Sequence, residues 1–347
     1  MLSTLSSNAI LSKARAMYGK RLTGKDYQSM LGCKTVGEVA GYLKNHTSYS
    51  DMLTGVDEAA IHRGQLEMML RQRIFYDLAS LCRYELSVGE RFADYILVRS
   101  EIQQILRALT LLEGEGADEY LFSLPLFLDK HTHIDLHALA KMKNYHDFLN
   151  ALGHSPYRRL LEPFAPHPGE AIDITAVENA LYGYLYSVVR NIIEHTRSKI
   201  AREQLNQIFT SYIDLQNYVR IVRLKKYYHA NPDYIRSLQL PFGRLKESTV
   251  NEMILAESER QVTAIMKRTP LGKRSANVEY SYIDEIPLRY RFYTCEKSIR
   301  YSVYPPVVML SYIFLTEFEL SNIIHIVEGI RYGLPADDIK KLLIMSR

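Results

Sequence analysis

This sequence predicts an all-α protein made of three similar helical units. Three observations carry that reading. Short phrases recur in a fixed order: His46-Thr47-Ser48-Tyr49 returns as His154-Ser155-Pro156-Tyr157 and again as Arg268-Thr269-Pro270-Leu271. Glu119-Tyr120-Leu121-Phe122-Ser123-Leu124-Pro125-Leu126 returns as Asp233-Tyr234-Ile235-Arg236-Ser237-Leu238-Gln239-Leu240. Asp214-Leu215-Gln216-Asn217-Tyr218-Val219-Arg220-Ile221-Val222 returns as Glu319-Leu320-Ser321-Asn322-Ile323-Ile324-His325-Ile326-Val327. The second observation is an apolar stripe at alternating spacings of three and four, the mark of a helix packed lengthwise on others. The third is that no stretch keeps the period-two alternation of a half-buried strand.

The repeat length of roughly 105–115 residues is domain-sized, whereas solenoid repeats run at about 20–50. Boundaries fall near 116 and 231. The first unit with its N-terminal helix takes 1–116, the second 117–231 and the third 232–347. The N-terminal helix is expected over about residues 5–22.

Each unit closes on a long amphipathic helix. Tyr95, Val98, Ile102, Ile105, Leu109 and Leu112 form the first stripe; Leu205, Ile208, Tyr212, Leu215, Val219 and Val222 the second. Leu310, Ile313, Leu320, Ile324 and Val327 form the third, which Glu317 interrupts. The stripes last two to three heptads, which suits bundle packing rather than an extended coiled coil. Capping boxes mark helix starts at Thr35–Glu38, Ser87–Glu90, Thr175–Glu178 and Thr249–Glu252. Gly114 and Gly116, Asn231-Pro232, and Gly329 with Gly333 mark stops. The Pro- and Gly-rich stretches near 163–170 and 267–281 read as loops inserted within units, and Val278–Ile283 as loop rather than strand.

Composition removes several function classes. Lys plus Arg is 43 and Asp plus Glu 39, for a net charge of +4, too balanced for a dedicated nucleic-acid binder. Cys33, Cys82 and Cys295 are odd in number and far apart, and read as reduced thiols of a cytoplasmic protein. Met1–Leu11 lacks the basic start of a secretory signal. The most apolar run, Val303–Leu315, is shorter than the about 20 residues of a membrane span and carries Pro305 and Pro306.

No chemistry-bearing motif is complete. Leu271-Gly272-Lys273-Arg274-Ser275 looks like the end of a P-loop, but Lys267 stands where its first glycine belongs. Gly114-Glu115-Gly116 lacks the third glycine of a dinucleotide loop. His131-Thr132-His133-Ile134-Asp135-Leu136-His137 puts two histidines on one helical face. It reads either as a metal site or as a polar loop entering a helix over Leu136–Met142. Arg220–His229 mixes cations and tyrosines, which suits phosphate contact or, more simply, complements a helix C-terminus. The 26 tyrosines, with no tryptophan, fit partner surfaces or gaps between helices.

The order of phrases resembles the C subunit of V/A-type rotary ATPases, the family that includes the d subunit of the eukaryotic vacuolar enzyme. Three places carry the resemblance: Asn8–Leu22 with Arg15 and Arg21, Asp214–Lys225 with Asn217, Arg220 and Arg223, and Glu319–Pro335 with Asn322, Gly329, Arg331 and Gly333. Ile324 departs from it, standing where the family has a basic residue. The resemblance implies a non-catalytic rotor part without cofactor, metal or small-molecule substrate. It implies three units arranged with pseudo-threefold repetition as a funnel-like socket. The socket's partners are central-shaft subunits and the membrane proteolipid ring, and its place is the cytoplasmic face of the membrane. On this reading Asn217, Arg220, Arg223, Glu319, Asn322 and Arg331 supply grip at interfaces. Asn217 and Asn322 equally suit ties within the chain, from one helix to the next unit's loop. An α-helical repeat adaptor for soluble partners, and a helical enzyme using His131–His137, are the competing readings.

Overall fold

A computed structural model describes residues 2–84, 88–112, 124–167 and 170–345, and it is helical throughout, with no strand among the described residues. The helices in chain order are α1 (Leu2–Gly19), α2 (Gly24–Leu31), α3 (Val36–His46), α4 (Arg63–Cys82) and α5 (Gly89–Leu112). Next come α6 (Leu136–Lys141), α7 (Tyr145–Ala151), α8 (Pro156–Leu161), α9 (Ile174–Glu194) and α10 (Lys199–Tyr228). Then follow α11 (Pro232–Ser237), α12 (Glu247–Leu255), α13 (Glu259–Arg268), α14 (Pro270–Ser275), α15 (Glu285–Tyr301), α16 (Pro305–Arg331) and α17 (Ala336–Leu342). Read in order, short helices followed by two long ones occur three times.

Contacts divide the chain into two units. One gathers Met1–Arg15, Arg190–Phe318 and Ile344–Arg347; the other holds Ala16–Val189 and Glu319–Leu343. In the first, α10 presents Leu215, Val219 and Val222 to a core with Ile254, Val262, Met266, Leu271 and Ile286, drawn from α12 to α15. Arg15 closes the end of α15 there, donating to the carbonyls of Ile299 at 2.9 Å and Ser302 at 2.6 Å. A guanidinium is well suited to that place, because the last carbonyls of a helix have no intrahelical donor. In the second unit α4 packs on α5, and Ile102 and Ile105 are fully buried.

Several starts and stops differ from the sequence reading. Thr35 caps α3 as expected, accepting from the Glu38 amide at 3.1 Å while Glu38 accepts from Lys34. The cap of α9 is instead Asp173, whose carboxylate accepts from Ala176 at 2.9 Å, because an Asp two residues upstream outcompetes the Thr175 hydroxyl. Thr249 sits inside α12, which begins at Glu247, and its amide bonds the Lys246 carbonyl. Ser87, Gly114 and Gly116 lie outside the described residues. The stretch 267–281 is not all loop: Thr269 caps α14 by accepting from Gly272 at 2.9 Å, with Pro270 in the first turn, where a missing N–H is harmless.

The third long helix is the largest correction. α16 runs unbroken for 27 residues from Pro305, its tandem prolines filling the first turn, so it is long and apolar enough to cross a membrane. Of its most apolar window, however, 72% is buried inside the protein. Glu317 breaks the apolar stripe, at half-burial, but not the helix. Gly329 is no stop either: an added Cβ would meet Ile339 of α17 at 2.4 Å. The stop is Gly333 at φ +67°, where Leu334 donates back to Gly329 at 2.8 Å in a Schellman closure.

Candidate functional site

Three carboxylates withdrawn from water stand on three long helices, at equivalent places. Asp214 on α10 and Glu319 on α16 open the repeated phrase, and Glu101 on α5 opens a third copy, Glu101-Ile102-Gln103-Gln104. All three carboxylates point back at the loop that leads into a short-helix segment. An ionised carboxylate taken out of water is stable only with several donors, so its partners define the site.

Glu101 is fully buried. Its Oε1 accepts from the Thr132 hydroxyl at 2.9 Å and the His133 amide at 2.5 Å, and its Oε2 from the Tyr157 hydroxyl at 2.6 Å. Asp214 accepts from the amides of Arg244 at 3.0 Å and Leu245 at 3.2 Å. Glu319 accepts from the Leu22 amide at 2.7 Å and the Tyr49 hydroxyl at 2.7 Å. In each case the amides stand one or two residues before the N-cap of a helix: Asp135 for α6, Lys246 for α12 and Thr23 for α2. The long helix of one phrase therefore holds the loop of the next, and the last holds the first.

The variations follow from side-chain length. Tyr49 and Tyr157 come from the His-Thr-Ser-Tyr phrase and reach the longer Glu. The third copy has Leu271 there, and the shorter Asp214 takes backbone donors only. Asp214 can approach so closely because position 243 is glycine, where a Cβ would stand 2.3 Å from its Oδ1.

Burial pushes the pKa of Glu319 up, against the Tyr49 and Leu22 hydrogen bonds and the nearby Arg73 and Arg21. Asp214 moves the same way for the same reason, opposed by the Arg244 and Leu245 amides. Tyr49, buried beside Glu319, is pushed far above the normal phenol range, so it stays a donor at any physiological pH.

An amide follows three residues after each carboxylate. Asn217 is 7% exposed and pairs both ways with Leu240, donating to its carbonyl at 2.9 Å and accepting from its amide at 2.8 Å. Asn322 is 2% exposed and hydrogen-bonds Tyr27. Gln104 is likewise buried.

The six residues named from sequence thus part company. Asn217 and Asn322 make the intramolecular ties that were one of their two readings, and Glu319 joins them. Arg220 donates to the Leu238 carbonyl beside the Asn217 pair. Arg223 is half-exposed and pairs with Asp284 at 2.8 Å, drawing in a segment 61 residues away. Arg331 is half-exposed, 4.0 Å from Glu328 and over the ring of Tyr332. Glu101 was missed, although the Glu-x-x-Gln echo of Asp-x-x-Asn marks it.

The histidine segment follows its polar-loop reading. Asp135 caps α6 through the Ala138 amide, His133 turns to Glu101 at 3.2 Å, and His137 turns to Asp129 at 3.7 Å. Among the described residues no group of three or more His, Cys, Asp or Glu stands together as a metal site would need.

By class this is an all-helical scaffold in which buried carboxylates and amides link segments at domain-sized spacing. A family model described as ATP synthase (C/AC39) subunit matches residues 10–342, and the chain belongs to that family. It is 25% identical to the C subunit of the A-type ATP synthase of Methanosarcina mazei over 96% of this chain and 92% of that protein. It is 21% identical to the corresponding C subunit of the A-type ATP synthase of Archaeoglobus fulgidus, over 97% and 95% of the two chains.

Proposed function

We propose that this chain is the C subunit in the central stalk of a V/A-type ATPase or ATP synthase, joining the central shaft to the membrane proteolipid ring without catalysing a step itself. The observation that carries the reading is the clasp pattern, on a chain whose family match runs nearly from end to end. A rotor part must transmit torque without yielding, and buried charge-assisted hydrogen bonds between successive segments serve that stiffness. The pattern also supports reading the chain as three repeats, with boundaries near 116 and 231, arranged as a socket. Its place is peripheral, on the cytoplasmic face of the membrane. Arg223 and Arg331, both half-exposed, are the members of the sequence-named set that remain to grip partners.

The test is purification of the tagged chain from its host's membranes in mild detergent, followed by ATP-driven ion uptake in vesicles carrying the complex with or without the chain. The reading expects head subunits, a shaft subunit and a small proteolipid to co-purify, and omission of the chain to abolish uptake while head ATPase activity persists. Recovery of soluble proteins alone would move the repeat-adaptor reading to first place.

A further inference from the structure

One concavity in the first unit is used by nothing described so far. It has a volume of about 520 Å³ and lies among α10, the end of α14 with the segment after it, and α15. Arg274 and Lys297 supply its cations, and no Asp or Glu lines it. Both are exposed, and neither forms an ion pair among the described residues. Tyr293 and Tyr301 supply ring faces, Tyr301 being 74% exposed. Gln204 uses its Oε1 to accept from the Ser302 hydroxyl at 2.8 Å, which leaves its amide N–H groups as donors, and Gln207 adds a second amide.

The neighbouring concavity gives a contrast. It holds about 440 Å³ and carries Arg190, Lys199, Arg202 and Arg244, but Glu194 answers Arg190 at 2.7 Å and Glu203 answers Arg244 at 3.4 Å. That wall is partly neutralised from within. The Arg274–Lys297 wall has no internal counter-charge, so its positive potential is left for an anion. Cations bind phosphate oxygens, tyrosine faces stack on planar rings and amides read ring edges. The volume falls within the about 300–1,000 Å³ of small-ligand sites.

We propose that this cavity binds a small phosphate-bearing ligand with a planar ring, the chemistry of a nucleoside diphosphate. The proposal stands apart from the rotor reading, since it needs only the isolated chain.

The experiment is calorimetric titration of the full chain with ADP and, separately, with inorganic pyrophosphate. ADP should bind more tightly than pyrophosphate. Arg274→Glu and Lys297→Glu should each weaken ADP at least about tenfold, the worth of one charge-assisted contact. Tyr301→Ala should weaken ADP and leave pyrophosphate unchanged. Lys199→Glu, in the other concavity, should leave both unchanged. All four side chains are exposed, and far-UV circular dichroism with melting midpoints checks that each variant folds. Absence of binding by either probe at about 1 mM, or undiminished ADP binding by folded Arg274→Glu, overturns the site. Loss on Lys199→Glu instead moves the anion to the other concavity and overturns it too. Equal affinity for the two probes overturns the nucleotide assignment. A polyglutamate peptide that binds where pyrophosphate does not would make the groove a peptide dock and overturn the small-ligand reading.

Discussion

Replacing Asn217 tests the clasp logic most directly. Its amide satisfies both polar groups of the Leu240 backbone, and Leu240 is only 6% exposed. Asn217→Leu keeps the branching and the number of heavy atoms and removes both bonds, leaving one buried N–H and one buried C=O without partners. Each orphaned group costs about 1–3 kcal/mol, so the loss should be about 2–6 kcal/mol. For a unit of this size that is a fall of at least about 4 °C in melting midpoint. Asn217→Asp adds a sign. At neutral pH its carboxylate still accepts from the Leu240 amide but faces the Leu240 carbonyl with a second acceptor. Burial and that carbonyl raise the variant's carboxyl pKa above its unfolded value. The protonated acid regains a donor, so stability is restored as pH falls through the folded value and lost as pH rises through it. Melting followed by circular dichroism from pH 7 to pH 4, against the wild type, should show a shrinking deficit for Asn217→Asp and a constant one for Asn217→Leu. A loss below about 1 kcal/mol for Asn217→Leu, or a pH-independent Asp deficit, would refute the argument.

Three further outcomes are expected. Burial raises the folded pKa of Glu319, so protonation favours the folded state. The melting difference between wild type and Glu319→Gln should therefore shift in favour of the wild type as pH falls from neutral into the carboxylate range, and a constant difference would count against the burial effect. Gly272→Ala would set a Cβ 1.9 Å from the Met266 carbonyl oxygen, which is backbone and cannot swing away, and should destabilise by at least about 1–3 kcal/mol; Gly64→Ala, with nothing within 4 Å, should be neutral or better in thermal melts. Arg15→Ala removes two donors from the end of α15 and should speed amide exchange in its last turn, with Arg15→Lys recovering part of the protection; unchanged exchange would remove Arg15 from that role.

The helices were legible because a stripe at spacings of three and four has one cause, burial of one face, and Val219 and Ile313 sit where their stripes put them. Starts were less legible. A hydroxyl three residues before an acid, as at Thr175 and Thr249, describes a possible cap and says nothing of Asp173 or of the Lys246 carbonyl, which start each helix two or three residues earlier. Of the clasps, Asp214 and Glu319 showed in sequence because acid and Asn recur together. Glu101 escaped notice because Gln104 stands for the Asn. That Asn217 and Asn322 turn inward could not be decided from a mid-helix position, which looks alike whether the face meets water or a loop. The partner of Arg223 is 61 residues away, beyond any local pattern.

The Glu319–Leu22 hydrogen bond joins residues 297 positions apart, and this sets a timetable for the newborn chain. At about 5–20 residues per second, the loop that enters α2 waits roughly 15–60 s on the ribosome before its carboxylate is made. The Glu101 and Asp214 clasps, with partners 31 to 56 and 30 to 31 residues further on, close within seconds of synthesis. A nascent chain therefore carries its first segment unlatched until nearly the last helix has emerged. Translation that stalls before residue 319 should yield a product that proteases open from its amino-terminal end first.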